Sequence, residues 1–237
     1  MCQSAKALLA VIVCLLAFGA FVLWPLSYQV NYKLSIDIDD NSAPRHGEGV
    51  IEVQFLSQPI RIDNTPNWSI GARGEAFAVD LGERGTMFVL LSGESGTKGR
   101  GAVEAGQRAL GTYFHASFGD TPPNLRGWLQ INSFASKHES VEVDPSNLPM
   151  LVRFRDTNDP ASVERVEPNA LDASFGPGVK ITRVTAQLTD EPMTTGIEKR
   201  LPWVSKPVGS VGKGMHLPYL SFLNQINDGS FRRGFGR

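Results

Sequence analysis

Beyond residue 14 this sequence has no cysteine: the only two, Cys2 and Cys14, lie near the N-terminus. Over residues 15–237 that excludes a structural disulfide, a thiol nucleophile and a cysteine metal site. Basic residues are in no surplus either. The formal net charge is −1, and without Lys6 the chain carries 22 basic and 24 acidic residues. Such a balance offers no cationic face, so nucleic acid is not an expected partner. The four histidines (His46, His115, His138, His216) are scattered with no i+2 or i+4 partner, so no zinc motif is present. No repeat at a solenoid period occurs.

What is present begins with an uncharged, mostly apolar run from Ala7 to Leu26. Twenty residues of helix rise about 30 Å, the thickness of a bilayer's hydrocarbon core. A cleaved signal peptide is the competing reading, with Ala17-Phe18-Gly19 as its cleavage site. Cleavage there would leave a very apolar new N-terminus, Ala20 to Leu26, so the run is expected to stay as one N-terminal transmembrane helix. Trp24, Tyr28 and Tyr32 fall where an interfacial aromatic belt belongs. Lys6 before the run, with Lys33 and three aspartates after it, favours an N-in, C-out orientation.

Residues 27–237 read as a single β-rich domain. Tyr28 to Asp39 alternates with period two, Tyr28 through Ile38 on one face and Gln29 through Asp39 on the other, which predicts a half-buried strand. Asp40 to Gly49 reads as a turn-rich stretch before a returning strand, Val50 to Phe55. A second hairpin is expected from Arg73–Leu81 and Thr86–Leu91, the latter apolar on both faces and therefore central. Ala102–Phe114 reads as a helix and Met150–Arg155 as a strand. Glu167–Phe175 reads as a short helix stopped by Gly176-Pro177-Gly178. Val179–Thr189 predicts a long strand with a bulge near Thr182-Arg183, and residues 228–237 a frayed basic tail. The expected class is α+β, mainly antiparallel β arranged as a sandwich or half-barrel, with two or three short helices.

Three constellations are candidate sites. Asp37, Asp39, Asn41 and Glu48 fall at positions one, three, five and twelve of an EF-hand-type loop, the spacing of hard oxygen ligands for calcium. Ser42 stands where that loop needs glycine and the flank is a strand, so the competing reading is a solvated hairpin tip, with no cofactor. Ser95 and Lys98 sit in a glycine-rich stretch, Gly93 to Gly99, that matches neither a nucleophile elbow nor a P-loop but could bind an anion through backbone N–H groups. Arg153 and Arg155 could clamp a carboxylate or phosphate, or pair with nearby acids or the neighbouring strand.

Five segments (Gly74 to Gly82, Leu148 to Asp156, Asp159 to Val163, Phe175 to Val179 and Gly196 to Trp203) resemble a family of uncharacterised proteobacterial envelope proteins that begin with one hydrophobic segment. The resemblance implies a bacterial source and an anchored topology and carries over no functional residue. Together these readings predict a single-pass inner-membrane protein with a periplasmic domain that binds or scaffolds. Its expected partners are the lipid bilayer through residues 7–26 and another envelope protein. The alternatives are a metal-free hydrolase with a loop-built site and a calcium-stabilised structural domain.

Overall fold

The computed structural model describes residues 26–57, 68–92, 140–206 and 226–233, with Val13, Val211 and Leu223. Ten strands lie among them, every recorded pairing antiparallel. The larger sheet is built from β1 (Leu26–Asp39), β2 (Pro44–Ser57), β3 (Trp68–Glu75), β6 (Ser140–Glu142), β9 (Lys180–Thr189) and β10 (Arg232–Arg233). Its order is β10-β3-β2-β1-β9-β6. The smaller sheet, β4-β5-β7-β8, holds β4 (Phe77–Asp80), β5 (Thr86–Val89), β7 (Leu151–Phe154) and β8 (Val163–Val166). Two short helices complete it, α1 (Leu171–Phe175) and α2 (Asp228–Phe231).

The alternation of β1 is the frame of the sandwich. Tyr32, Leu34, Ile36 and Ile38 are buried on its inner face, against Val79, Met87, Val89 and Leu151 of the smaller sheet. Tyr32 is fully buried, so it does not belong to an interfacial belt, and burial pushes its phenol well above the ordinary range. The second face of the smaller sheet is also covered. Phe88, Leu90 and Val152 pack against Leu201, Trp203, Ile226 and Phe231, in a layer made by the C-terminal part of the chain. That double burial explains why β5 reads as apolar on both faces.

Several expectations are corrected. β2 starts at Pro44, so the β1–β2 turn is only residues 40–43. Gly47 and Gly49 are not turn residues: a Cβ on Gly47 would lie 2.5 Å from Val79 Cγ2, and one on Gly49 2.3 Å from Phe77 Cδ1. These two glycines let β4 seat its side chains directly on β2. The expected strand Arg73–Leu81 is two strands, because the chain leaves the larger sheet at Ala76 and enters the smaller one. Gly74 sits at φ 144°, and Ala76 N–H donates to the Phe231 carbonyl (2.7 Å). Strands that change sheets at such a bend are the corners of a sandwich. The helix expected over Glu167–Phe175 is confined to Leu171–Phe175. Residues 228–233 are not frayed, since Phe231 is fully buried and Arg232 and Arg233 pair with Glu75 and Gly74. The β9 bulge is where expected: the register with β1 shifts between Asp37↔Arg183 and Ile38↔Ile181, leaving out Thr182.

After β9 the segment 190–196 crosses to the far side of β2. Asn31 Nδ2 donates to the Glu191 carbonyl (2.9 Å), Lys33 Nζ bonds Glu191 Oε1 (2.5 Å), and Thr194 exchanges bonds with the Val50 backbone. It ends at Glu75, whose buried carboxylate accepts from Gly196 N–H and Ile197 N–H (2.9 Å) and pairs with Arg232 Nε (2.7 Å). No helix among the described residues is long and apolar enough to cross a membrane. The expected spanning run lies outside them except for Val13 and for Leu26, which is the first residue of β1 rather than the last of the run. The helix expected at 102–114 also lies outside.

Candidate functional site

The turn between β1 and β2 is organised by Asp40, a residue to which the sequence reading assigned no role. Its Oδ1 accepts from Ser42 N–H (2.9 Å), Ser42 Oγ (2.6 Å) and Ala43 N–H (2.7 Å), and its Oδ2 accepts from Arg45 Nε (2.7 Å). These bonds, the Ser42 hydroxyl's first, hold its carboxyl well below the usual carboxylate range. The signal was local: an aspartate followed two residues later by serine is the chemistry of an Asx-turn. With the turn tied down, Asn41 takes a left-handed conformation (φ 65°) and its amide packs against Gly178. A Cβ at position 178 would overlap that amide, so only glycine fits there.

Asn41 forms one wall of a cleft of about 390 Å³ at this end of the sandwich. Pro145 and Pro168 supply rigid walls, and Asn169, Asp172 and Lys180 supply polar groups. The elements around it are fixed by helix-end chemistry. Asp144 accepts from Ser146 N–H (2.8 Å) and caps the 3-10 turn Pro145–Asn147. The carbonyls at the C-terminal end of α1 are taken by two guanidinium groups: Arg84 donates to Phe175 O (3.0 Å) and Arg153 to Ser174 O. Cations belong at that end of a helix because its last carbonyls lack partners. The cleft can donate from two amides and an ammonium and accept at one carboxylate. Among the described residues that line it there is no serine, cysteine or histidine.

The other candidate residues are placed as follows. Arg153 and Arg155 do close on a carboxylate, but it is Glu164 of the neighbouring strand β8: Arg153 Nη2 lies 2.6 Å from Glu164 Oε2 and Arg155 Nε 2.8 Å from Oε1. The clamp is filled from within, and Arg153 also stacks over the Phe175 ring (5.7 Å). The four residues with calcium spacing do not converge. Because β2 begins at Pro44, Asp37 and Glu48 sit on adjacent strands and both face His46, at 2.7 Å from Nδ1 and 3.4 Å from Nε2. Asp39 accepts from Asn41 N–H (3.0 Å). No group of three or more metal-ligating side chains occurs among the described residues. Ser95 and Lys98 lie outside them, as do His115, His138 and His216.

His46 has a carboxylate at each ring nitrogen, so neither is left to take a proton from a hydroxyl nucleophile. The hydrogen bond to Asp37 is the larger cause that raises its pKa, and Glu48 adds to it. A folded-state pKa above the unfolded one makes this contribution complete below the unfolded value, about 6.5, and lost as pH rises through the folded value. His46→Gln is therefore expected to lower the urea midpoint at about pH 5.5 and to leave it nearly unchanged at about pH 8.5. An equal effect at both pH values would remove the charge from the explanation.

No protein-family model matches the chain, no curated protein matches it, and no solved structure matches its fold.

Proposed function

We propose that this chain is a membrane-anchored binding or scaffolding module of the bacterial envelope. Residues 7–25 form its single span, the N-terminus faces the cytoplasm, and the β-sandwich stands in the periplasm. The observation that carries the reading is the start of β1. Leu26, the first residue after the proposed span, pairs with Ser57, and the pairing with β2 continues without a break to Asp39↔Pro44. A strand that begins at Leu26 leaves no linker in the sequence between the proposed span and a strand paired with β2 throughout and with β9 from Asn31 onward.

The same strand sets the reach of the module. Its fourteen residues cover about 43 Å at about 3.3 Å per residue. The Asn41–Lys180 cleft lies at the far end, so its ligand would be met away from the bilayer, in the periplasmic space. The small, polar, preformed cleft suits a soluble ligand or an extended segment of another envelope protein.

The expected result is that the full chain, expressed in a bacterium, sediments with the inner membrane and resists alkaline extraction. Protease added to spheroplasts should digest the sandwich, and the mass of the mature chain should begin at Met1. Recovery in a soluble fraction, or a chain starting at Ala20, would sink the anchored reading.

A further inference from the structure

The cleft between Asn41 and Lys180 is walled by four segments, each held by bonds of its own. Asp40 ties down the β1–β2 turn, and Asp144 caps the turn that begins at Pro145. Arg84 holds the far end of α1, and the start of β9 is fixed by the pairing of Lys180 with Asp39. Such a site is preformed, so binding there costs little ordering of the protein. Its 390 Å³ equals about thirteen water molecules at about 30 Å³ each, room for a ligand of roughly ten to fifteen non-hydrogen atoms.

Two opposite charges line this space, Asp172 from α1 and Lys180 from β9. Among the described residues no ion pair joins them. One oxygen of Asp172, Oδ1, accepts from Ala173 N–H (3.0 Å), which leaves Oδ2 for a ligand. Asp39, opposite Lys180 in the ladder, is turned to the β1–β2 turn, where its Oδ1 accepts from Asn41 N–H (3.0 Å). The amides of Asn41 and Asn169 add neutral donors and acceptors to the lining.

We infer that the cleft takes a small zwitterion of the size of a free dipeptide, its ammonium on Asp172 and its carboxylate on Lys180. The inference deepens the binding role proposed above and rests on it. An extended dipeptide spans about 7 Å, at about 3.3–3.6 Å per residue, which suits two charges that do not reach each other. A charge-assisted hydrogen bond is about twice as strong as a neutral one, so a ligand that meets both charges is held better than a neutral polyol that brings none. A simple anion is disfavoured, because the one lysine faces Asp172 in the lining and Asp39 across the ladder. Pro145 and Pro168 supply apolar walls for short side chains.

The test is a titration of the full chain in a polyoxyethylene detergent, followed through the backbone amide signals of Asn41, Asn169, Gly178 and Lys180. The probes are dialanine, N-acetyl-dialanine, dialanine amide and glucose. Dialanine is expected to shift these signals, and blocking either end should weaken binding about tenfold or more. Asp172→Asn should remove the penalty for acetylation alone, and Lys180→Gln the penalty for amidation alone. Both side chains are exposed, so both variants are expected to fold, and the same spectra show it. Equal binding of free and blocked peptides, a response to glucose alone, or no response at these amides would overturn the zwitterion. The anchor is judged separately, by whether the chain stays in solution once the detergent is removed. A chain that needs detergent yet ignores dialanine loses the ligand and keeps the anchor. One that dissolves without detergent and keeps the crossed preference loses the anchor alone.

Discussion

Gly49→Ala is expected to destabilise the fold by about 1–3 kcal/mol, the usual range for forcing one extra methyl into a packed core. The new Cβ would stand 2.3 Å from Cδ1, 2.7 Å from Cγ and 3.0 Å from Cβ of Phe77. A ring backed by Met87, Val89 and the inner face of β1 has little room to retreat, because protein interiors are packed as densely as organic crystals. Gly49→Val should be worse, and Gly47→Ala comparable, since its Cβ would meet Val79 Cγ2 at 2.5 Å and the Ala78 carbonyl at 3.1 Å. Urea unfolding checks this, and a double-mutant cycle supplies the cause. Phe77→Ala alone should cost about 3–5 kcal/mol. Adding Gly49→Ala to it should cost clearly less than Gly49→Ala does in the native background. Strictly additive losses would mean that the close approach of β4 to β2 is not what requires glycine.

The second large effect is expected at Glu75. Glu75→Ala should cost about 3–5 kcal/mol, the range for removing one partner of a buried pair. The carboxylate is almost fully buried, whereas Arg232 is about half exposed. Most of the loss therefore comes from the Gly196 and Ile197 N–H groups left without an acceptor, at about 1–3 kcal/mol for each such group. Glu75→Gln keeps one acceptor oxygen and should lose about half as much. Hydrogen exchange at Gly196 and Ile197 should accelerate in both variants, because the crossing segment and the C-terminal layer meet at this point. A Glu75→Ala protein with native stability and unchanged exchange at these amides would show that the carboxylate is incidental to the fold.

The sequence was most readable where a residue's role depends on its neighbours along the chain. The period-two pattern of Tyr28 to Asp39 is the inner and outer face of β1. The shift of apolar register between Ile181 and Val184 is the bulge at Thr182, and the double-sided apolarity of Met87 to Leu91 is a strand buried on both faces. It was least readable where the cause lies across the sandwich. Gly47 and Gly49 look like turn glycines because nothing local shows that Phe77 and Val79 will press on them. Arg73 to Leu81 reads as one strand because the bend at Ala76 is held by a carbonyl at Phe231.

The candidate sites divide along the same line. Asp40 could have been recognised from its own turn. The calcium spacing came from counting positions along a loop, but residues on two paired strands are separated by the register of the ladder, not by their count. Glu75 has no local signal, since its backbone partners lie 121 and 122 residues away. Arg153 and Arg155 close on Glu164 of their own chain, and which carboxylate they meet was decided by the pairing of β7 with β8.

Composition and periodicity alone determined the mainly antiparallel β class, the absence of cysteine chemistry after residue 14 and the apolar run that leads into β1. These depend on which residues are apolar and at what spacing, and both are written along the chain. Tertiary structure alone decided which glycines are irreplaceable, which acid closes each charge pair, and that a small polar cleft forms where the β1–β2 turn meets Gly178 and Lys180. Such facts follow from contacts between residues far apart in sequence, whose partners are chosen only when the two sheets pack.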